Sequence, residues 1–316
     1  MTDTQIDFAM LLGGIGGVLV VATATGAMLA RRRTSGGATP TIEHLNDRIH
    51  AWWTITALLA LSFLAGRTGV IILFALCSFA ALREFMTLTT KRTADHWAIA
   101  TAFFIVLPAQ YYFVWVEWYA VYSIFIPVYA FLLLPIIAVV QGDTDRFLIR
   151  ISETQWALMI SVYCASYVPA LLTLRIDGYA GRNVLLIAFL IVVVQLSDVL
   201  QDTWGKMIGK HPVAPQLSSS RTWEGLVGGV ASAALVGAGL WWITPFTIWQ
   251  AAVVSVVIAL AGFFGGLVMS AIKQDRGVKD WGHLMAGHGG FIDRLDSVVF
   301  SAPLFFHITR YFWSSV

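Results

Sequence analysis

The sequence predicts an all-α fold, a polytopic membrane bundle of about ten transmembrane helices. Three observations carry that prediction. Hydrophobic residues make up 58% of the chain and charged residues only 12%, about half the ~25% charge of a soluble domain. The mean hydropathy is +0.76. The apolar residues come in runs near the ~20 residues that a bilayer crossing requires. They lack the period-two alternation of a barrel strand. Lipid offers the backbone no hydrogen bonds, so such runs are helices.

The apolar runs fall at 8–30, 50–66, 68–83, 97–115, 118–140, 156–174, 184–204, 225–244, 248–271 and 297–314. The first is followed, not preceded, by Arg31-Arg32-Arg33, so it reads as a membrane helix and not as a secretory signal. The Ser/Gly/Thr/Pro stretch 34–41 reads as a flexible linker and sets residues 1–48 apart as a peripheral first helix. The second and third runs are short. Arg67-Thr68-Gly69 between them predicts a tight helical hairpin. Residues 49–180 form the N-terminal membrane helices, and residues 181–316 the C-terminal helices with the motif-bearing loops. Trp52, Trp53, Trp115, Trp118, Trp241 and Trp242 lie near run ends as an ordinary interfacial belt. Cys77 and Cys164 lie inside apolar runs and no CxxC occurs. They read as small apolar packers, not as a disulfide or a metal site.

Orientation follows from Lys and Arg. With the N-terminus outside, 16 basic residues fall on the inner side, and only Arg67, Arg175, Arg182 and Arg310 on the outer. That is a strong positive-inside bias. Segments 205–224 and 273–296 then both face the cytoplasm.

Charge is concentrated in two segments. Ser270–Ser297 contains Lys273, Asp275, Arg276, Lys279, Asp280, His283, His288, Asp293, Arg294 and Asp296. Asp293 and Asp296 are three residues apart and share one face of a helix, at the start of the last run. A helix N-terminus there offers free N–H groups and the positive dipole end. Gly287, Gly289 and Gly290 permit close backbone approach by a ligand. Carboxylates on one face can hold Mg²⁺ through oxygen, and Lys273, Arg276 and Lys279 can neutralise phosphates. A plainer alternative makes Asp293 a helix cap and Arg294–Asp296 a surface ion pair. His283 and His288 read either as phosphate or metal contacts or as structural hydrogen-bonding groups. The second segment is 195–225. Asp198 is an ionisable group inside an apolar run and therefore a functional candidate, with Asp202 one turn later on the same face. Lys206, Lys210, His211 and Arg221 form a basic loop. Its simplest alternative role is contact with anionic headgroups. Ser218-Ser219-Ser220 reads as the cap of the next helix, and Glu224 as a partner of Arg221 one turn away.

Together the two segments resemble the CTP:phosphatidate cytidylyltransferases, the CDP-diacylglycerol synthase family. Ser270, Ile272, Lys273, Lys279, Asp280, His288, Gly289, Gly290, Asp293, Arg294, Leu295 and Asp296 fall in register with the family's C-terminal signature. Asp198, Gly205, Lys206, Gly209, Lys210 and Thr222-Trp223-Glu224-Gly225 match its upstream stretch. The match covers residues 195–305. The chain departs from the pattern at Gln274, at Ala286, at Ser218-Ser219-Ser220-Arg221, and at Gly266, where the family typically carries an Asp that looks like a metal ligand.

The resemblance implies transfer of the cytidylyl group of CTP to phosphatidic acid, with Mg²⁺ as cofactor, in a bacterial cytoplasmic membrane. It implies a homodimer, and no nucleic-acid partner is expected. Asp280, Asp293 and Asp296 would form the metal centre, with Asp280, Asp293, Lys273 and Lys279 as the catalytic set. Asp198, Lys206, Lys210, Arg221, Glu224, Ser270, His288, Gly289, Gly290 and Arg294 would bind substrate. Two other readings stand beside it. One is a non-catalytic relative that binds lipid or a partner. The other is a lipid transporter, which predicts charges spread through many spans, whereas here they cluster in the C-terminal half.

Overall fold

The computed structural model describes residues 3–32, 53, 56–57, 60–61, 64–282 and 290–315. Nine main helices are described: α1 Asp3–Arg32, α2 Gly66–Thr87, α3 Thr93–Trp115, α4 Phe125–Val139, α5 Phe147–Thr173, α6 Asn183–Ile208, α7 Trp223–Gly239, α8 Ile248–Asp275 and α9 Ile292–Trp313. Five of them, α2, α3, α5, α6 and α8, are long and apolar enough to cross a membrane. The protein is an all-α membrane bundle, as its composition predicts. Most of the second apolar run lies outside the described residues.

The core is aromatic and aliphatic. Tyr167 of α5 and Phe306 of α9 are fully buried, with ring centroids 5.1 Å apart. Large apolar side chains also cover the outside, with Phe104, Leu235 and Trp249 each more than 70% exposed. A helix apolar on all sides needs lipid around it. Helices α6 to α9 pack closely on one another. At Gly229 of α7 an added Cβ would lie 2.1 Å from Gln201 Cγ of α6, the small-residue contact that lets membrane helices approach. Thr247 and Gln250 form a capping box at the start of α8.

Polar contacts sort the loops into two ends. At one end Arg67 pairs with Glu117, Glu117 with Arg175, and Ser315 N–H donates to Arg175 O at 2.9 Å. Arg182 there pairs with Asp7 of α1. At the other end Arg92 pairs with Asp143 and Asp145, buried Arg150 with Asp95 at 3.1 Å, and Arg276 with Glu153 at 2.6 Å. From α2 to α9 consecutive helices therefore alternate in direction, and the described basic residues in these pairs divide between the ends as the charge bias predicts.

Local expectations differ in three places. The hairpin break falls at Ala65–Gly66, with Gly66 at φ +72°. Arg67 is already inside α2 and is held by Glu117. The basic loop after α6 contains a small antiparallel ribbon, β1 Pro212–Ala214 and β2 Ser218–Thr222, paired at Pro212↔Thr222 and Ala214↔Ser218. The cap of α7 is Thr222, whose Oγ1 accepts the Gly225 N–H at 3.1 Å; the serines before it are strand residues.

Candidate active site

A cavity of about 300 Å³ lies between α6, α7, α8 and α9. Its walls carry Asp198 and Asp202 from α6, Arg221 from β2, and Asp293, Arg294 and Asp296 from α9. The helical spacing of Asp198 and Asp202, and of Asp293 and Asp296, turns each pair toward the same space. Four carboxylates and two guanidiniums therefore surround one polar cavity at the end of an apolar bundle, an arrangement that is costly without a task.

Asp293 is held on both oxygens. Oδ2 accepts the Trp281 N–H at 3.1 Å and the Gly290 N–H at 2.9 Å, while Lys273 Nζ donates to Oδ1 at 2.8 Å. It thus ties the two flanks of the motif loop together, more than the simple cap the sequence allows. Asp296 Oδ1 accepts the Ser297 N–H at 2.7 Å. The Arg221 guanidinium lies across α8. Nη1 donates to Phe263 O at 2.9 Å, and Cζ stands 5.4 Å from the Phe263 ring centroid. Gly266 lies directly beneath it, where an added Cβ would come within 2.4 Å of Nη2.

The other sequence-predicted residues sit nearby or apart. Lys206 pairs with Asp202 at 2.7 Å. Glu224 does not pair with Arg221. It accepts the Lys210 and His211 N–H groups at 3.1 and 3.2 Å and lies 2.5 Å from His211 Nδ1, because the ribbon folds His211 back over the start of α7. The Lys210 side chain is exposed. Ser270 Oγ donates to Gly266 O within α8 at 2.7 Å. Lys279 and Asp280 are exposed and do not line the cavity. His283, His288 and Gly289 lie outside the described residues.

Among the described residues no three His, Cys, Asp or Glu side chains close into a metal cage. The cavity's oxygen-only donors suit a hard cation that keeps open positions for water and phosphate. Asp202 faces the cavity from the same side of α6 as Asp198, as their spacing predicts, although the family pattern assigned it no role. Glu84, near the end of α2, is buried beside the motif loop, and its carboxylate accepts the Ile292 N–H at 3.0 Å. Sequence reasoning missed it, because Glu84 lies just past the 68–83 apolar run beside Arg83, where a charge is ordinary.

A helical membrane bundle with an acidic and guanidinium-lined cavity at the end of its helices defines a membrane protein with a polar, ion-binding site. The chain belongs to the cytidylyltransferase family, whose pattern matches residues 46–312. It is 36% identical to the uncharacterized protein YnbB of Escherichia coli K12 over 269 residues, 84% of this chain and 87% of that one. It is 40% identical over 152 residues to the phosphatidate cytidylyltransferase of Mycobacterium leprae, covering 45% of this chain and 46% of that protein. It is 39% identical over 126 residues to that of Staphylococcus aureus, covering 39% and 48%. The match thus spans about half the length of these two phosphatidate cytidylyltransferases.

Proposed function

We propose that this protein transfers the cytidylyl group of CTP to phosphatidic acid, giving CDP-diacylglycerol and pyrophosphate. One observation carries the proposal: Asp198, Asp202, Asp293 and Asp296 face a single cavity together with Arg221 and Arg294. In the proposed reaction a phosphate oxygen of the lipid bonds to the α-phosphorus of CTP, and the bond to the β-phosphate oxygen breaks. The nucleophile is already anionic, so no general base is needed; the obstacle is repulsion between phosphates. Arg221 and Arg294 neutralise part of that charge and orient phosphate oxygens. Asp198, Asp202, Asp293 and Asp296 are the residues that would hold Mg²⁺ through oxygen ligands. Bound there, Mg²⁺ would supply charge neutralisation and alignment of attacking and leaving oxygens. Positioning and electrostatics then suffice for the transfer.

The cavity lies near the end of the bundle that carries most of the basic residues, which supports a cytoplasmic opening in a bacterial inner membrane. A lipid site is supported by a second, apolar pocket of about 550 Å³ on the other face of α8, walled by Leu148, Ile149, Trp156, Ile272 and Trp281.

The test is purified protein in detergent with labelled CTP, phosphatidic acid and Mg²⁺. Wild type forms labelled CDP-lipid. Asp296→Asn, which leaves the Asp293 clasp in place, loses activity by on the order of 10²-fold or more, the scale of losing one preorganised electrostatic group. A folded wild-type protein silent in this assay, or an Asp296→Asn variant of undiminished activity, refutes the proposal. The first outcome favours a non-catalytic relative.

A further inference from the structure

Glu84 is the one buried acid of α2, only 3% exposed. A carboxylate in an apolar bundle is expensive unless donors meet it. Here Oε2 accepts the Ile292 N–H at 3.0 Å, one of the unsatisfied donors at the start of α9. Oε1 accepts no hydrogen bond among the described residues. The carboxylate also lies against both flanks of the motif loop. An added Cβ at Gly282 would stand 2.9 Å from Oε1, and one at Gly290 would stand 2.7 Å from Oε2 and 2.7 Å from Gly282 N. Both glycines are therefore required by the same side chain, and they bring the two flanks into contact with each other. The next residue of α2, Phe85, packs its ring on Trp281 at 4.8 Å between centroids. Trp281 and Gly290 are the residues whose N–H groups hold Asp293 Oδ2.

We infer that Glu84 is a positioning residue for the cavity: its carboxylate seats both flanks of the motif loop and thereby fixes Asp293. A helix from the N-terminal half, outside the recognisable motifs, thus sets the geometry of the acidic cavity. The carboxylate meets a helix-start N–H and two bare glycines at once, contacts that an apolar side chain would not make. The consequence for catalysis rests on the transferase reading, but the structural consequence does not.

The experiment compares Glu84→Ala, Glu84→Gln and Gly282→Ala in the purified full chain, with two readouts. The first is hydrogen exchange of the peptides flanking the loop, at 278–282 and 290–296. Glu84→Ala and Gly282→Ala accelerate exchange there and leave α6 and α7 unchanged, whereas Glu84→Gln, which keeps an acceptor and the shape, stays near wild type. The second is turnover. Glu84→Ala raises the Mg²⁺ concentration needed for half-maximal rate or lowers kcat by about 10–100-fold, the range for a group that orients a metal-binding side chain, and Glu84→Gln restores most of it. Combined with Asp293→Asn, Glu84→Ala adds little further loss, because both act through one carboxylate. Unchanged exchange in Glu84→Ala and Gly282→Ala overturns the inference, as does a loss fully additive with Asp293→Asn. If Glu84→Ala does not fold, Gly282→Ala and Glu84→Gln still decide it. If wild type lacks transferase activity the functional proposal fails, and the exchange data alone decide the positioning role.

Discussion

Gly266 and Arg221 show how one missing side chain reshapes the cavity. The guanidinium occupies the volume that any side chain at 266 would need, with Nη2 within 2.4 Å of where a Cβ would stand. It is fixed there by the Phe263 carbonyl and the face of the Phe263 ring. The resemblance to the family leads one to expect a carboxylate at 266; the structure puts a cation across that point instead. Arg221 is flexible at its far end, so Gly266→Ala displaces the guanidinium more readily than it unfolds α8. An Ala in mid-helix is worth about 0.5–1 kcal/mol over Gly, which offsets part of the clash. The expected result is a thermal midpoint within a few degrees of wild type, with the apparent affinity for CTP weakened by about 10-fold, roughly 1.4 kcal/mol. Because Arg221 carries the effect, Arg221→Ala with Gly266→Ala binds CTP no more weakly than Arg221→Ala alone. Titration of nucleotide binding with the four proteins checks this, and additive losses contradict it.

At the scale of elements, the helices were legible because a bilayer crossing leaves a long, one-sided record: twenty apolar residues in a row. The ribbon β1–β2 was not. Its sequence, Pro212-Val213-Ala214-Pro215-Gln216-Leu217-Ser218-Ser219-Ser220-Arg221-Thr222, is rich in loop-forming residues, and only five residues form its longer strand. What holds it is tertiary. Glu224, in the first turn of α7, gathers the Lys210 and His211 N–H groups and the His211 ring. No local pattern reveals such a contact across more than ten residues. Helical spacing made Asp293 and Asp296 legible as a pair, and the family resemblance joined Asp198 to their site as a substrate-binding residue. Asp280 was grouped with them by the family pattern, yet the chain leaves it exposed just before buried Trp281. Glu84 was hidden because its partner, Ile292, is 208 residues away. For the ribbon, Glu224→Ala removes three acceptor contacts at once. Limited proteolysis of the detergent-solubilised protein then cuts within 210–222 at least several-fold faster than in wild type, while helix content by circular dichroism is unchanged. Equal cutting rates would mean that the strands hold themselves.

At the scale of the whole molecule, charge and contact give the same topology by independent routes. Counting Lys and Arg places 16 on one side and 4 on the other. The ion pairs separate the loops without reference to charge counts: Arg67–Glu117, Glu117–Arg175 and Asp7–Arg182 join one set, and Arg92–Asp143 and Glu153–Arg276 the other. The two sets are the two sides of the charge count. Basic loops stay on the cytoplasmic side because they translocate poorly, so the expected orientation puts the end that carries Lys210, Arg221 and Lys273 at the cytoplasm, the side from which the proposed substrate CTP would enter. Single cysteines report this directly once Cys77 and Cys164 are replaced by Ala. In sealed right-side-out vesicles a membrane-impermeant maleimide should label Asp177→Cys and Ser315→Cys at once. Lys91→Cys and Lys210→Cys should react only after permeabilisation. The opposite pattern would reverse the orientation, put the acidic cavity out of reach of cytoplasmic nucleotide, and remove the transferase reading along with it.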